Sequence, residues 1–191
     1  KFPYIKDISH TEKMRVKSYP IIYKSMEPRI ITAPMTARWI EEIPEIGKRL
    51  PENCLLDKGI TGCGATSLAI TNDRSTLIAA PTVNLIKNKM QAHPDLLGVY
   101  GGVTNQEIAD YLKTHDCWKI MATYDAIPRV ADVAGAEIYS KAFLLVDEYH
   151  RLLFDYSFRN HAITGLLEQA PRFASKTYLS ATPIGQEFLL D

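Results

Sequence analysis

The sequence predicts an α/β domain with a mostly parallel sheet covered by helices on both faces. Three observations carry this. From Asn53 onward, apolar runs of three to five residues alternate with amphipathic stretches, the pattern of βα units rather than of hairpins. The run Ala142–Val146, AFLLV, is apolar at every position, as a strand buried on both faces must be. The 191 residues, 46% hydrophobic and 23% charged, suffice for one such domain with its own core plus an extension.

Residues 1–34 carry Pro3, Pro20, Pro28 and Pro34 around short apolar pieces such as Tyr19–Tyr23. They read as a basic N-terminal extension, irregular or with short edge strands. The domain proper is expected over 35–191. Thr36 can cap a helix whose apolar face is Trp39, Ile40, Ile43 and Ile46, with Glu41 and Glu42 near its positive end and Pro44 limiting it. That register favours core packing for Trp39 over stacking on a base. Strands follow at Cys54–Leu56, Thr76–Ala80, Leu97–Tyr100, Lys119–Thr123, Ala142–Val146 and Lys176–Ser180. Helices are expected between them at Thr66–Thr71, Val83–Ala92, Asn105–Thr114, Ile127–Ala134 and Asn160–Gln169. There is no internal repeat and no low-complexity tract.

Net charge is zero, which argues against a strongly basic nucleic-acid binder. The charge is uneven. Residues 1–30 hold Lys1, Lys6, Lys13, Arg15, Lys17, Lys24 and Arg29 against Asp7, Glu12 and Glu27, a net of +4. Such an arm can touch phosphate or simply be a solvated surface. The three cysteines Cys54, Cys63 and Cys117 form no C-x-x-C pair, and no zinc spacing is completed by histidine, so reduced thiols of a cytoplasmic protein are expected. No apolar run approaches the roughly 20 residues of a membrane span. The chain begins at Lys1 without a signal peptide and reads as a piece of a longer polypeptide.

Three segments carry candidate chemistry. GITGCGATS, residues 59–67, lies between a strand and a helix. Its glycines let backbone N–H groups wrap a phosphate, and Thr66 falls where a magnesium-ligating hydroxyl belongs. Ala65 stands where the lysine of a P-loop is expected. A glycine-rich turn opening a helix can also be purely structural. LLVDEYHR, residues 144–151, puts Asp147 and Glu148 at the tip of an apolar strand, where ligands bind in open α/β sheets. An Asp there can hold magnesium and an adjacent Glu can position a water; the plainer reading is a pair of solvated acids. Arg151 suits a phosphate contact or a local ion pair. YLSATP, residues 178–183, brings Ser180 and Thr182 to the same edge, or is only a polar loop start.

Together the three segments resemble the signature of superfamily 2 (DEAD/DEAH-type) helicases. GITGCGATS is similar to motif I with a degenerate Walker A sequence, DEYH to the D-E-x-H motif II, and SAT to motif III. IAAPTVNLIKNK, residues 78–89, VYGGVT, residues 99–104, and ATYDAI, residues 122–127, lie where strand-contacting segments are found in that family. The resemblance spans about residues 50–185. It implies a RecA-like, P-loop nucleotide-binding lobe. ATP and Mg2+ would bind at Gly59, Ile60, Thr61, Gly62, Cys63, Gly64, Ala65, Thr66 and Ser67, with Thr66 and Asp147 on the metal and Glu148 as the catalytic residue holding the water. His150, Ser180 and Thr182 would couple this site to nucleic acid and to a second lobe. Pro81, Thr82, Gly101, Gly102, Thr123 and Tyr124 would line the strand-binding face for DNA or RNA, single- or double-stranded.

In that family the second lobe supplies an arginine finger, so this lobe alone is expected to hydrolyse ATP barely or not at all. Two rivals stand beside a helicase or translocase lobe. One is a pseudo-ATPase binding module of the same fold, favoured by Ala65. The other is a P-loop kinase, which leaves DEYH and SAT unexplained.

Overall fold

A computed structural model describes the backbone of residues 15–20 and, with side chains, residues 29–182. Residues 1–14 and 21–28, with most of the basic extension, lie outside the described residues, as do Pro183 onward.

The strands are β1 (Arg15–Pro20), β2 (Arg29–Thr32), β3 (Cys54–Asp57), β4 (Thr76–Ala80), β5 (Leu97–Val99), β6 (Lys119–Thr123), β7 (Phe143–Asp147) and β8 (Ser175–Ser180). The helices are α1 (Ala65–Thr71), α2 (Val83–Ala92), α3 (Asn105–Thr114), α4 (Ile127–Ala134), α5 (Ile138–Lys141), α6 (Arg151–Phe154) and α7 (Tyr156–Gln169). One sheet runs in the order β2-β1-β3-β8-β7-β4-β6-β5. The six strands from β3 to β5 are all parallel. β1 lies antiparallel to both β2 and β3, so the extension adds an edge to the same sheet. This is the α/β, RecA-like arrangement expected, with AFLLV near its centre.

Alternation along the strands divides the core into two layers. Ile78, Ala80, Met121, Phe143 and Leu145 face one layer with α1 and Ile86 of α2. Their neighbours Leu77, Ala79, Ile120, Ala122, Leu144 and Val146 face the other, with Ile108, Val130, Ile163 and Leu166 from α3, α4 and α7. A two-residue period sends successive side chains to opposite faces. Every residue of β4, β6 and β7 is buried, each large apolar side chain contributing about 1.5–3 kcal/mol.

Local signals explain the helix ends. Thr104 and Glu107 form a reciprocal capping box at α3: the Glu107 N–H donates to Thr104 Oγ1 over 3.2 Å and the Thr104 N–H to Glu107 Oε2 over 2.7 Å. Pro128 sits in the first turn of α4, and Gly135 closes it with φ 79°.

The helix expected from Thr36 through Ile46 does not form. Trp39 is extended (φ −115°, ψ 148°) and only a 3-10 turn, Ile40–Glu42, follows. Glu42 folds back to accept the N–H groups of Arg38 and Trp39, and Pro44 lacks the N–H that a helix would use. Ile40, Ile43 and Ile46 still reach the core. Trp39 does not: it is 40% exposed, which corrects the core-packing expectation. The four-residue helices α5 and α6 are too short to give a periodic signal.

Candidate functional site

The topology gathers the three motifs at one sheet edge. β8 lies between β3 and β7, with Asp57 opposite Ser180 and Asp147 opposite Leu179. The C-terminal tips of three neighbouring parallel strands therefore carry the phosphate-loop candidate, the SAT segment and the acidic pair.

The entry to the loop after β3 is held by hydrogen bonds from three successive backbone N–H groups. Gly59 N–H donates to Asp57 Oδ1 at 2.9 Å, Ile60 N–H to the Lys58 carbonyl at 2.8 Å, and Lys58 N–H to the Ser180 carbonyl at 2.9 Å. Gly59, Gly62 and Gly64 all have positive φ, at 69°, 73° and 86°, conformations glycine adopts without the Cβ penalty. Gly59 and Ile60 form the entry turn; the stretch from Thr61 to Ser67 lines a cleft of about 350 Å³ shared with Trp39, Lys58, Leu85, Lys89, Asp147 and Glu148. The Cys63 carbonyl accepts from the Ile40 N–H at 2.8 Å, which brings Trp39 against the loop. Burial pushes the Cys63 thiol up, which disfavours the nucleophilic thiolate.

Across the cleft, the Thr66 hydroxyl donates to Asp147 Oδ2 at 2.9 Å. Asp147 is 2% exposed. Burial pushes its carboxyl up, while the Lys58 ammonium and the Thr66 hydroxyl pull it back. Lys58 Nζ sits 3.3 Å from Glu148 Oε1 and 4.0 Å from Asp147 Oδ1, and its side chain is 7% exposed. Lys89 Nζ on α2 donates to Ser67 Oγ at 2.9 Å, and burial lowers its pKa.

Glu148 has φ 53°, an uncommon state for a residue with a Cβ. Three contacts over-determine it. Tyr149 N–H donates to the Leu179 carbonyl at 3.1 Å, and the Tyr124 hydroxyl donates to the carbonyls of Asp147 at 2.7 Å and Glu148 at 3.3 Å. Strain held in this way concentrates at functional sites.

His150 Nδ1 lies 2.8 Å from Ser180 Oγ, 3.2 Å from Thr182 Oγ1 and 3.3 Å from Glu148 Oε2. Burial lowers its pKa against the opposing pull of Glu148. The three coupling candidates thus form one polar cluster touching Glu148. Arg151 pairs with Asp155 at 2.9 Å, the local ion pair of its two readings.

The strand-contact candidates all lie at or just past the tips of β4, β5 and β6, but they divide by accessibility. Thr82, Gly101 and Gly102 are exposed. Pro81 and Thr123 are buried, and Tyr124 has no exposed surface. The Tyr124 side chain is packed in the core and its hydroxyl supports the acidic turn, so only its backbone can face a nucleic-acid strand. The Thr82 hydroxyl caps α2 by accepting the Leu85 N–H at 3.3 Å.

Two residues escaped the motif reading. Lys89 belongs to a segment noted for another role, and only the fold turns it toward Ser67. Arg159 sits at a kink in α7 (φ −132°), donates to the Pro81 carbonyl at 2.6 Å and lies 3.8 Å from Asp125; nothing in its sequence context announces this bridge.

The Thr66 hydroxyl and Asp147 carboxylate supply adjacent hard oxygen donors. They fit a magnesium ion that keeps waters and shares phosphate oxygens, which needs few protein ligands. Among the described residues no group of three His, Cys, Asp or Glu forms a protein-only metal site, and no helix is long and apolar enough to cross a membrane. No protein-family model matches the chain, and no curated protein matches it.

Proposed function

We propose that this chain is the nucleotide-binding lobe of a cytoplasmic, nucleic-acid-dependent ATPase of the superfamily 2 helicase or translocase type. The observation that carries the reading is the 2.9 Å bond from Thr66 to Asp147 across the cleft lined by the glycine loop. A hydroxyl at the start of a helix and an acid at the tip of a buried strand are the pair that holds magnesium in P-loop NTPases. When bound, magnesium neutralises charge on the phosphates.

The chain's own residues then divide the work. The loop from Thr61 to Ser67 holds the phosphates through its backbone. Glu148, partly exposed and fixed in its turn, orients the water that attacks the terminal phosphoryl group. His150 passes the state of Glu148 to Ser180 and Thr182, and so toward a second lobe. The exposed Thr82, Gly101 and Gly102 offer backbone contacts to a strand of DNA or RNA, a mode with little sequence preference.

A binding module without hydrolysis is the second reading, favoured by Ala65, which is 2% exposed and carries no charge. Phosphate release by a polypeptide containing this chain, with and without single-stranded nucleic acid, separates the two. Stimulated release that disappears in Glu148→Gln supports the ATPase. Tight ATP binding without any release supports the module.

A further inference from the structure

The cleft has no lysine at position 65, yet it does not lack a lysine. Lys58 and Lys89 both line it, Lys58 against Asp147 and Glu148 and Lys89 against Ser67. We infer that Lys58, entering from the tip of β3, is the phosphate-binding lysine of this loop and replaces the one missing at position 65. The inference rests on the nucleotide reading and names the residue that completes it.

Three observations select Lys58. First, its backbone is fixed: its N–H extends the β3–β8 ladder to the Ser180 carbonyl and its own carbonyl accepts from Ile60. The side chain is thereby directed across the cleft rather than out to solvent. Second, an ammonium 7% exposed is costly without partners, and its partners are the two acids that the nucleotide reading assigns to metal and water. Its charge is therefore held at the end of the cleft where the terminal phosphate would react. Third, Lys58 and Ala65 line the same cleft, one from the strand side and one from the helix side, so a long amine from either position serves the same space.

Lys89 is the weaker candidate. Its amine bonds a neutral hydroxyl, Ser67 Oγ, beyond the magnesium-ligand position at Thr66.

In the resting chain Lys58 is the counter-charge of Glu148 and Asp147. On binding a metal–triphosphate, Lys58 gives up these carboxylates and donates to a phosphate oxygen, its four-carbon stem allowing the change without backbone movement. Glu148 is thereby released to take a water. No covalent bond is made or broken and no proton is transferred in this exchange.

The test is calorimetric titration with Mg-ATP and with a non-hydrolysable analogue. It compares the unaltered chain with Lys58→Ala, Lys89→Ala, Ala65→Lys and the double variant Lys58→Ala/Ala65→Lys. Lys58→Ala is expected to weaken binding about ten- to a hundred-fold, the range of one charge-assisted hydrogen bond. The double variant is expected to recover most of that loss, and Lys89→Ala to lose only a few-fold. Full-strength binding by folded Lys58→Ala, or a larger loss in Lys89→Ala, overturns the assignment while leaving the nucleotide reading intact. Failure of the unaltered chain to bind any triphosphate overturns both.

Because Lys58→Ala strips the cation from buried Asp147 and can unfold the chain, a second measurement uses the unaltered protein. With 13C-labelled lysine, the Lys58 Cε resonance, assigned through Lys58→Arg, is expected to shift when the magnesium-bound analogue is added and to stay in place with the nucleoside alone. A resonance that stays still while the analogue binds overturns the assignment.

Discussion

The hydroxyl of Tyr124 donates a 2.7 Å hydrogen bond to the backbone carbonyl of Asp147, tying the end of β6 to the acidic turn after β7. Burial pushes the phenol far up, so it stays a donor at any physiological pH. Tyr124→Phe keeps the ring and leaves a buried carbonyl without its donor, at a cost of about 1–3 kcal/mol. The expected result is a lower urea midpoint with an unchanged slope, plus weaker Mg-ATP binding as the Glu148 turn loosens. If stability falls but nucleotide affinity does not, the bond holds the fold and leaves the site untouched.

The Thr66–Asp147 pair predicts a different signature. Thr66→Val is nearly isosteric and removes only the hydroxyl. If that hydroxyl serves the metal, ATP affinity without magnesium should match the unaltered chain, while affinity with magnesium falls about ten-fold, the loss of one hydrogen-bond-scale contact. Titrations with and without magnesium decide it. Equal losses in both conditions would place Thr66 in the phosphate loop alone.

Most of the sheet was legible because its strands are apolar at consecutive positions, and α2 and α3 begin at threonine caps. Thr76–Ala80, Val83–Ala92, Asn105–Thr114, Lys119–Thr123 and Ile127–Ala134 have the expected bounds. What failed was the period around Trp39. Ile40, Ile43 and Ile46 are spaced like a helical face and are all buried, yet a 3-10 turn and its following turns put them there, and Trp39 was carried along with the wrong pattern. At the site, Asp147 and Thr66 came from motif position. Tyr124 lies at the expected strand end, but such a residue can point inward or outward, and packing turns its side chain inward. Lys58 directly precedes the glycine loop, but chain proximity does not fix direction; the ladder bond to Ser180 does.

The bidentate pair between Arg49 and Asp73 is a surface clasp joining the approach to β3 with the α1–β4 connection, at 2.7 and 2.8 Å. The Arg49 guanidinium draws the Asp73 carboxyl from the usual 3.8 down to about 2. A depressed folded-state pKa means that the stabilisation is complete above about pH 4 and is lost as pH falls through about 2. Solvent screening keeps the effect small. In Arg49→Ala, NMR titration of Asp73 should return toward 3.8, and stability should depend less on pH between 4 and 2. An Asp73 titration unmoved by the substitution would show that the pair does not persist in solution.

The last prediction concerns the two left-handed glycines on either side of Cys63. At Gly62 (φ 73°) an added Cβ meets nothing within 4 Å, so Gly62→Ala suffers only the backbone penalty. That penalty is about 1–2 kcal/mol, partly offset by about 0.4–1 kcal/mol from restricting the unfolded chain. At Gly64 (φ 86°) the same Cβ would stand 3.2 Å from Trp39 Cε3. Gly64→Ala therefore bears the same strain and must also push the indole. Trp39 emission, recorded in a Trp118→Phe background so that one indole reports, should shift in Gly64→Ala and hold steady in Gly62→Ala. Both should weaken Mg-ATP binding, since each disturbs the loop backbone that holds the phosphates, and Gly64→Ala should weaken it more if Trp39 forms part of the nucleotide's seat. Equal losses with a shifted indole would mean that Trp39 covers the loop without touching the ligand.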